Sequence, residues 1–406
     1  MIYTPADSAE LAAIVTTTGD TVLLRSGVTY AASSIPAALL SPSGVTLGAS
    51  GTGAKPIISG GTVRTDWTLD APNNVYSRTY ASNILGNVTE DGVPMKYVAW
   101  NTNIATTAAS MTDGANLPYW SGSMTYDPAN FIVYIRPSAG AASAHVYVVS
   151  DSANADGTAI YDTATGSGLL IDGIELRNIS RTGIHLFNKK NAVISDCDFR
   201  VIGGIKPASL WIGNGLELSK GCNGVQVLRC DFQDIFDSAM TSQLYEGTRA
   251  TIGWHLYEDN TVSRYGMHGV EISQQTANQF ITDIEVSGLT AADAGTYSWA
   301  GDRNGAAVTM LSNSAGSSRV TRAYARGVQA TRAKRLYLGY QHGGVCGIED
   351  SAGVETWGFA PVSNANGVSG QVDLWRSVTD NLGAPSGGNW VASTARMSNA
   401  FRGMVL

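Results

Sequence analysis

One short phrase recurs through the middle of the chain and restricts its fold more than any other feature: apolar, any, polar or Gly, apolar or small, acidic or polar, apolar. It reads Ile171-Asp172-Gly173-Ile174-Glu175-Leu176, Ile194-Ser195-Asp196-Cys197-Asp198-Phe199, Val227-Leu228-Arg229-Cys230-Asp231-Phe232, Tyr257-Glu258-Asp259-Asn260-Thr261-Val262 and Ile281-Thr282-Asp283-Ile284-Glu285-Val286. The first positions are 23 (171 to 194), 33 (194 to 227), 30 (227 to 257) and 24 (257 to 281) residues apart, so the unit is near 23 with insertions. A unit this small cannot bury its apolar face alone; stacked neighbours must do it.

Between successive copies lies a second strand, usually opened by a small residue: Gly183-Ile184-His185-Leu186, Gly215-Leu216-Glu217-Leu218, Ser238-Ala239-Met240-Thr241, Gly269-Val270-Glu271-Ile272 and Gly305-Ala306-Ala307-Val308. Each turn then holds three short strands, two of them meeting at the polar or Gly corner. No amphipathic helix separates them, and the crossover helix of a βαβ unit needs about a dozen residues, so such units are excluded. The pattern predicts an all-β, single-stranded parallel β-helix, each turn stacked about 4.8 Å above the last with inward side chains in ladders. Ile171, Ile194, Val227, Tyr257 and Ile281 form one expected inward ladder. Ile174, Cys197, Cys230, Asn260 and Ile284 form a second, and Leu176, Phe199, Phe232, Val262 and Val286 a third. The handedness of parallel crossovers predicts right-handed coiling.

A solenoid grows in one dimension, so 406 residues need not mean several domains. The 46 glycines and 15% charged residues suit strands joined by tight turns. A net charge of -7 argues against a nucleic-acid partner, which needs clustered Lys and Arg. Cys197 and Cys230 hold equivalent inward positions, and the four cysteines, with Cys222 and Cys346, lack disulfide or metal spacing; they are read as free thiols. Met1-Ile2-Tyr3-Thr4-Pro5 runs directly into the first element, so no signal peptide is read there, and no apolar run reaches membrane-spanning length.

Ser8 to Thr17 opens with a capping Ser and a short helical pattern, stopped at Gly19-Asp20; a helix here would cover the open strand edge of the solenoid. That helix, Gly19 to Tyr30 (GDTVLLRSGVTY), Ser43 to Gly60 (SGVTLGASGTGAKPIISG) and the later coils resemble the pectate-lyase-like superfamily of right-handed β-helix proteins. The family includes polysaccharide lyases, glycoside hydrolases and bacteriophage tailspike depolymerases, and the resemblance covers residues 1 to about 350. The expected organisation is an N-terminal cap over 1–20, the β-helix over 21–358, and a C-terminal cap or oligomerisation segment over 359–406. Within residues 62–160, alternating stretches around Val75, Val93, Met124 and Phe131, with Asp127-Pro128-Ala129-Asn130 as a turn, predict an antiparallel insert.

The insertions cluster. Gly203 to Gly213 and Ala291 to Asn304 fall just before the second-strand face, and Leu244 to Gly253 just after it, so together they wall a groove over that face. Aligning the coils puts Thr182, Asn214, Asp237, His268 and Asn304 at its lip, and His185, Glu217, Met240, Glu271 and Ala307 on its floor. Singly, an outward Glu or a lone His is ordinary surface or structure. Together, Glu217, Asp237, Glu271, His185 and His268 share one groove beneath loops carrying Trp211, Tyr297 and Trp299, flat faces suited to sugar rings.

Glycoside hydrolysis needs one carboxyl to protonate the leaving oxygen and another to activate water or attack the sugar. Asp237 and Glu271 are the candidate acid and base, with Glu217 and His268 beside them and His185, Trp211, Asn214, Tyr297, Trp299 and Asn304 as substrate contacts. Glu217 and Glu271, two coils or about 10 Å apart, suit an inverting enzyme once their side chains converge. Phe236 to Ser242 followed by Met267 to Ser273 is similar to polygalacturonase-type hydrolases, but Met267 stands where the first Gly of their Gly-His-Gly phrase would be, and the paired Asp and downstream Arg-Ile-Lys are missing. The likeness does not extend to a pectin substrate. A lyase acting on a uronate glycan is the second reading; it needs a base and a cation, and Lys189 and Lys190 sit only at one edge. A non-catalytic glycan-binding or structural spike is the third. No metal or cofactor is expected. The resemblance implies a polysaccharide partner, work outside the cell as a phage tail component or a secreted protein, no membrane insertion, and admits a homotrimer.

Overall fold

The computed structural model describes residues 1–81, 85–111, 120–151, 157–204, 213–245, 250–274, 279–295, 305–312, 319–333, 335–340, 345–356, 359–362, 371–375 and 378–381. Three long sheets, every strand pair in them parallel, wrap one continuous core. The first has eleven strands, from Ile2–Tyr3 to Gln371–Trp375; the second has ten, from Thr29–Ala31 to Val378–Asn381. The third has eight, from Ile160–Asp162 to Phe359–Val362. This is a parallel β-helix, and its sheets continue past residue 358. Membrane-spanning helices are absent among the described residues.

The repeated phrase is the corner between the first and second sheets. Its third residue is left-handed in every coil, with φ of 68° at Gly173, 51° at Asp196, 51° at Arg229, 52° at Asp259 and 64° at Gly288. That conformation swings the chain from one sheet into the next and lets the corner amide donate to the coil above, as Asp196 N does to Leu228 O at 3.0 Å. Gly, Asp and Asn tolerate it best, which explains the polar third position. The neighbouring fourth position points inward as expected: Ile174, Cys197, Cys230 and Asn260 are buried, the Asn260 amide satisfied by Cys230 N and Val227 O at 2.9 Å each. In the second sheet Leu176, Phe199, Phe232 and Val262 pair in register, the two phenyl rings stacked 4.3 Å apart. Cys197, Cys222 and Cys230 are free; the Cys346 side chain lies outside the described residues.

The fifth copy of the phrase is a correction. Ile171, Ile194, Val227 and Tyr257 stack in register, but the next partner of Tyr257 is Val286, and Ile281 pairs with Ile252. Ile281 is still inward in the same sheet, one bulge earlier along the nine-residue strand Gln279–Ser287. Asp283 is left-handed too (φ 56°), level with Trp254 below and Arg322 above, and the extra residue keeps Ile281, Ile284 and Val286 all facing inward. The true fifth corner is Val286-Ser287-Gly288-Leu289-Thr290-Ala291, with Leu289 and Ala291 in the places expected for Ile284 and Val286.

The N-terminal helix is shorter than the pattern suggested, Ser8–Ala12, and its cap is Asp7, whose carboxylate accepts from Ala9 N and Glu10 N at 2.9 Å. The Ser8 hydroxyl instead accepts from Ala31 N, tying the helix to the second sheet, and Leu11 enters the main core. The insert leaves the solenoid after Ile57–Ser59 and returns at Ile160–Asp162. It has a four-stranded antiparallel sheet and a five-stranded one, around a separate core that includes Met95, Met124, Tyr126, Val133 and Tyr147. In the five-stranded sheet the edge pair Lys96–Tyr97 with Ser123 and Met124 is parallel.

Candidate active site

The third sheet is the floor of the proposed groove. Its strands begin at a tight column, Gly183, Gly215, Ala239, Gly269 and Ala307, in which a side chain on Gly183, Gly215 or Gly269 would come within 2.5 to 2.6 Å of the backbone oxygen of the next coil. Two residues further on, in register, stand Tyr161, His185, Glu217, Thr241, Glu271 and Thr309. Met240 and Ala307, expected on the floor, are therefore corrected: both are buried in the core, and Thr241 and Thr309 take their places. The cause is the tight column, where Ala replaces Gly in two coils and shifts the reading by one residue and by two.

At the lip, Thr182, Asn214 and His268 hold equivalent positions, but Ser238 and not Asp237 completes the column, as the pairings of Gly215 N with Ser238 O and of Ala239 N with His268 O show. Asp237 stands one residue earlier, its amide donating to Gly213 O and its carbonyl accepting from Met267 N. Trp211, Tyr297, Trp299 and Asn304 lie outside the described residues.

Glu217 is the most tightly held of the carboxylates. Asn214 Nδ2 donates to its Oε2 at 3.1 Å and Ser219 Oγ to its Oε1 at 3.2 Å, while His185 Nε2 lies 3.2 Å from Oε1 and 3.0 Å from Ser219 Oγ. The His185 ring is flanked by Phe187 and Tyr161, 4.3 and 5.4 Å away. Asn214 also accepts from Ser238 N at 3.2 Å, and Ser238 Oγ donates to Glu271 Oε2 at 2.7 Å. A run of hydrogen bonds, through the Asn214 side chain and the amide and hydroxyl of Ser238, thus joins Glu217 to Glu271 across the coil of Asp237. His268 shares a 2.7 Å hydrogen bond with Thr309 through Nδ1.

Asp237 differs from both glutamates. It is only 5% exposed, and no described residue hydrogen-bonds its carboxyl. Burial first, then the charges of Glu271 and Glu217, push its pKa well above the usual carboxylate range. A carboxyl so raised keeps its proton to higher pH than an ordinary carboxylate does. Groups of three His, Cys, Asp or Glu able to hold a metal ion are absent among the described residues.

Comparison with solved structures finds chains similar to this one. The chain is similar to a protein described as "Glycoside hydrolase", at 10% identity over 89% of this chain and 89% of that one, with a TM-score of 0.47. It is similar to a rhamnogalacturonan lyase at 11% identity over 92% of this chain and 81% of that one, TM-score 0.42. It is similar as well to a tailspike protein of an E. coli bacteriophage, at 12% identity over 89% of this chain and 60% of that one, TM-score 0.37. The likeness is one of fold. No family model and no curated protein matches the sequence.

Two features of the groove escaped the sequence reading, and one expectation is corrected. Ser219, Ser238 and Thr309, which position the Glu and His side chains, are ordinary strand residues until the register is known. The insert leaves from the same corner as the segments after Gly204 and Gly295, and it docks there: Asn87 N donates to Gly203 O at 2.8 Å, and a side chain on Gly86 would strike Ser180 Cα at 2.6 Å. It therefore belongs to the lip wall. Lys189 is not at the groove edge but buried in an ion pair with Asp162 at 3.0 Å, with Nζ donating to Leu40 O.

Proposed function

We propose that this protein is an extracellular polysaccharide-degrading enzyme, a glycoside hydrolase working in the groove over the third sheet. The observation that carries the reading is the Asp237 carboxyl, buried, without a hydrogen-bond partner among the described residues, and beside Glu217 and Glu271. Asp237 donates its proton to the glycosidic oxygen as the bond to the anomeric carbon breaks. Glu271 takes a proton from the water that bonds to that carbon, which leaves one new reducing end and one new hydroxyl. Glu217, fixed by Asn214, Ser219 and His185, shapes the charge around the acid and binds sugar hydroxyls. A polymer substrate is too large to enter a cell, which supports work outside it.

The test is Asp237→Asn and Glu271→Gln assayed for reducing ends on a panel of capsular and plant polysaccharides. Each substitution is expected to cost about a hundredfold or more in rate. Full activity in both variants sinks the assignment, and ultraviolet absorbance of an unsaturated uronate among the products replaces hydrolysis by elimination.

A further inference from the structure

We infer that the sugar units held over Asp237 carry no carboxylate, so that the enzyme cuts between uncharged residues. The inference rests on hydrolysis at this site and adds the chemical class of substrate. The outward residues of the described floor are Tyr, His, Glu, Thr, Phe, Ser and Gln; Lys and Arg are absent among them.

The cations nearby among the described residues are placed elsewhere. Lys189 is turned inward to Asp162, and Lys190 and Lys220 lie beyond the strands, where the chain turns toward the first sheet. Arg181, whose Nε is buried without a hydrogen-bond partner, is at the lip but two coils from Asp237, about 10 Å along the axis. A uronate over Asp237 would bring a further negative charge into a nearly dry site already holding three carboxyl groups, with nothing described there to neutralise it. A neutral sugar instead brings hydroxyls, whose donors suit Glu217 and Glu271. The site thus discriminates by repulsion as much as by attraction.

The experiment takes uronate-containing polysaccharides in two forms: native, and with their carboxyls converted to primary alcohols by carbodiimide activation and borohydride reduction. Neutral polymers are included, and reducing ends and the identity of the unit at each new end are measured. The reduced and neutral polymers are expected to be cut at least about a hundredfold faster than any linkage between uronates. In mixed polymers no uronate should appear at a new reducing end. Equal cleavage of native and reduced forms, or uronates at the new ends, overturns the inference while leaving hydrolysis standing. Cleavage of no polymer removes hydrolysis and this inference with it.

Discussion

The proposed role of Asp237 sets a conflict between stability and chemistry at one side chain. Its pKa is raised in the fold, so the native state holds the proton to higher pH than the unfolded chain does, and stability falls as pH rises from the ordinary carboxylate range through the folded value. Asp237→Asn removes that penalty with little change of shape. We expect this variant to melt at the same temperature as the parent or higher at neutral pH while its hydrolysis is lost, a pairing typical of strained functional groups. Scanning calorimetry beside the activity assay checks it, and a clear drop in melting temperature would show that the carboxylate is structural. The same proton predicts that hydrolysis declines on the alkaline side as Asp237 ionises.

At the scale of single strands and corners, the left-handed residue organises this solenoid. Besides the corner column, a second one runs along the second sheet, at Val201, Asp234, Arg264, Asp293 and Arg332, and several of these residues pair across coils. Arg229 with Asp196, Arg264 with Asp234 and Arg332 with Asp293 each make two hydrogen bonds of 2.6 to 3.0 Å. Of these only Arg229 with Asp196 is exposed on both sides, and such a pair contributes little stability, so its larger effect is to favour one register over another; the Asp234 carboxylate is buried against Arg264. Close approach in the tight column costs more. Gly215→Ala puts a methyl 2.5 Å from Ala239 O and 2.7 Å from the Phe232 ring, whereas the methyl of Gly48→Ala meets nothing nearer than 3.5 Å. We expect the first to destabilise by about 2 kcal/mol in urea unfolding. The second should be neutral or slightly stabilising, and equal effects would refute the packing argument.

For the molecule as a whole, the insert has its own core and its own titratable clamp. His145 Nδ1 lies 2.8 Å from Asp91 Oδ2 and 3.3 Å from Glu90 Oε1, Nε2 lies 2.8 Å from Ala139 O, and the Tyr147 hydroxyl donates to the same Glu90. The hydrogen bond to Asp91, followed by that to Ala139, raises the His145 pKa. A raised histidine stabilises fully below its unfolded value, about 6.5, and loses the effect as pH rises through the folded value. Hydrogen exchange, corrected for intrinsic rates, should therefore show the strands Val88–Glu90 and Tyr147–Ser150 losing protection in alkali while the coils at Val193–Ser195 keep theirs. Unchanged protection in the insert would remove the clamp.

The solenoid itself was legible in the residues. A phrase with an apolar face and a polar or Gly third position demands stacking, because no copy buries itself, and the alternation within each strand tells in from out. The phrase could not say whether its left-handed residue turns a corner, as at Asp196, or bulges a strand, as at Asp283, since both need the same local backbone and the same inward neighbours. The candidate acids Glu217, Asp237 and Glu271 were visible as residue types at one face, but their surroundings were not. Whether Gly or Ala fills a tight position shifts the column by a residue or two, and only pairing with the next coil reveals which. The link from Glu217 through Asn214 and Ser238 to Glu271, the lack of any partner for Asp237 among the described residues, and the docking of the insert on the lip all join residues that are distant in sequence or separated by a coil. Tertiary structure alone decided them, because they depend on inter-coil register and burial, quantities that no single stretch of chain contains.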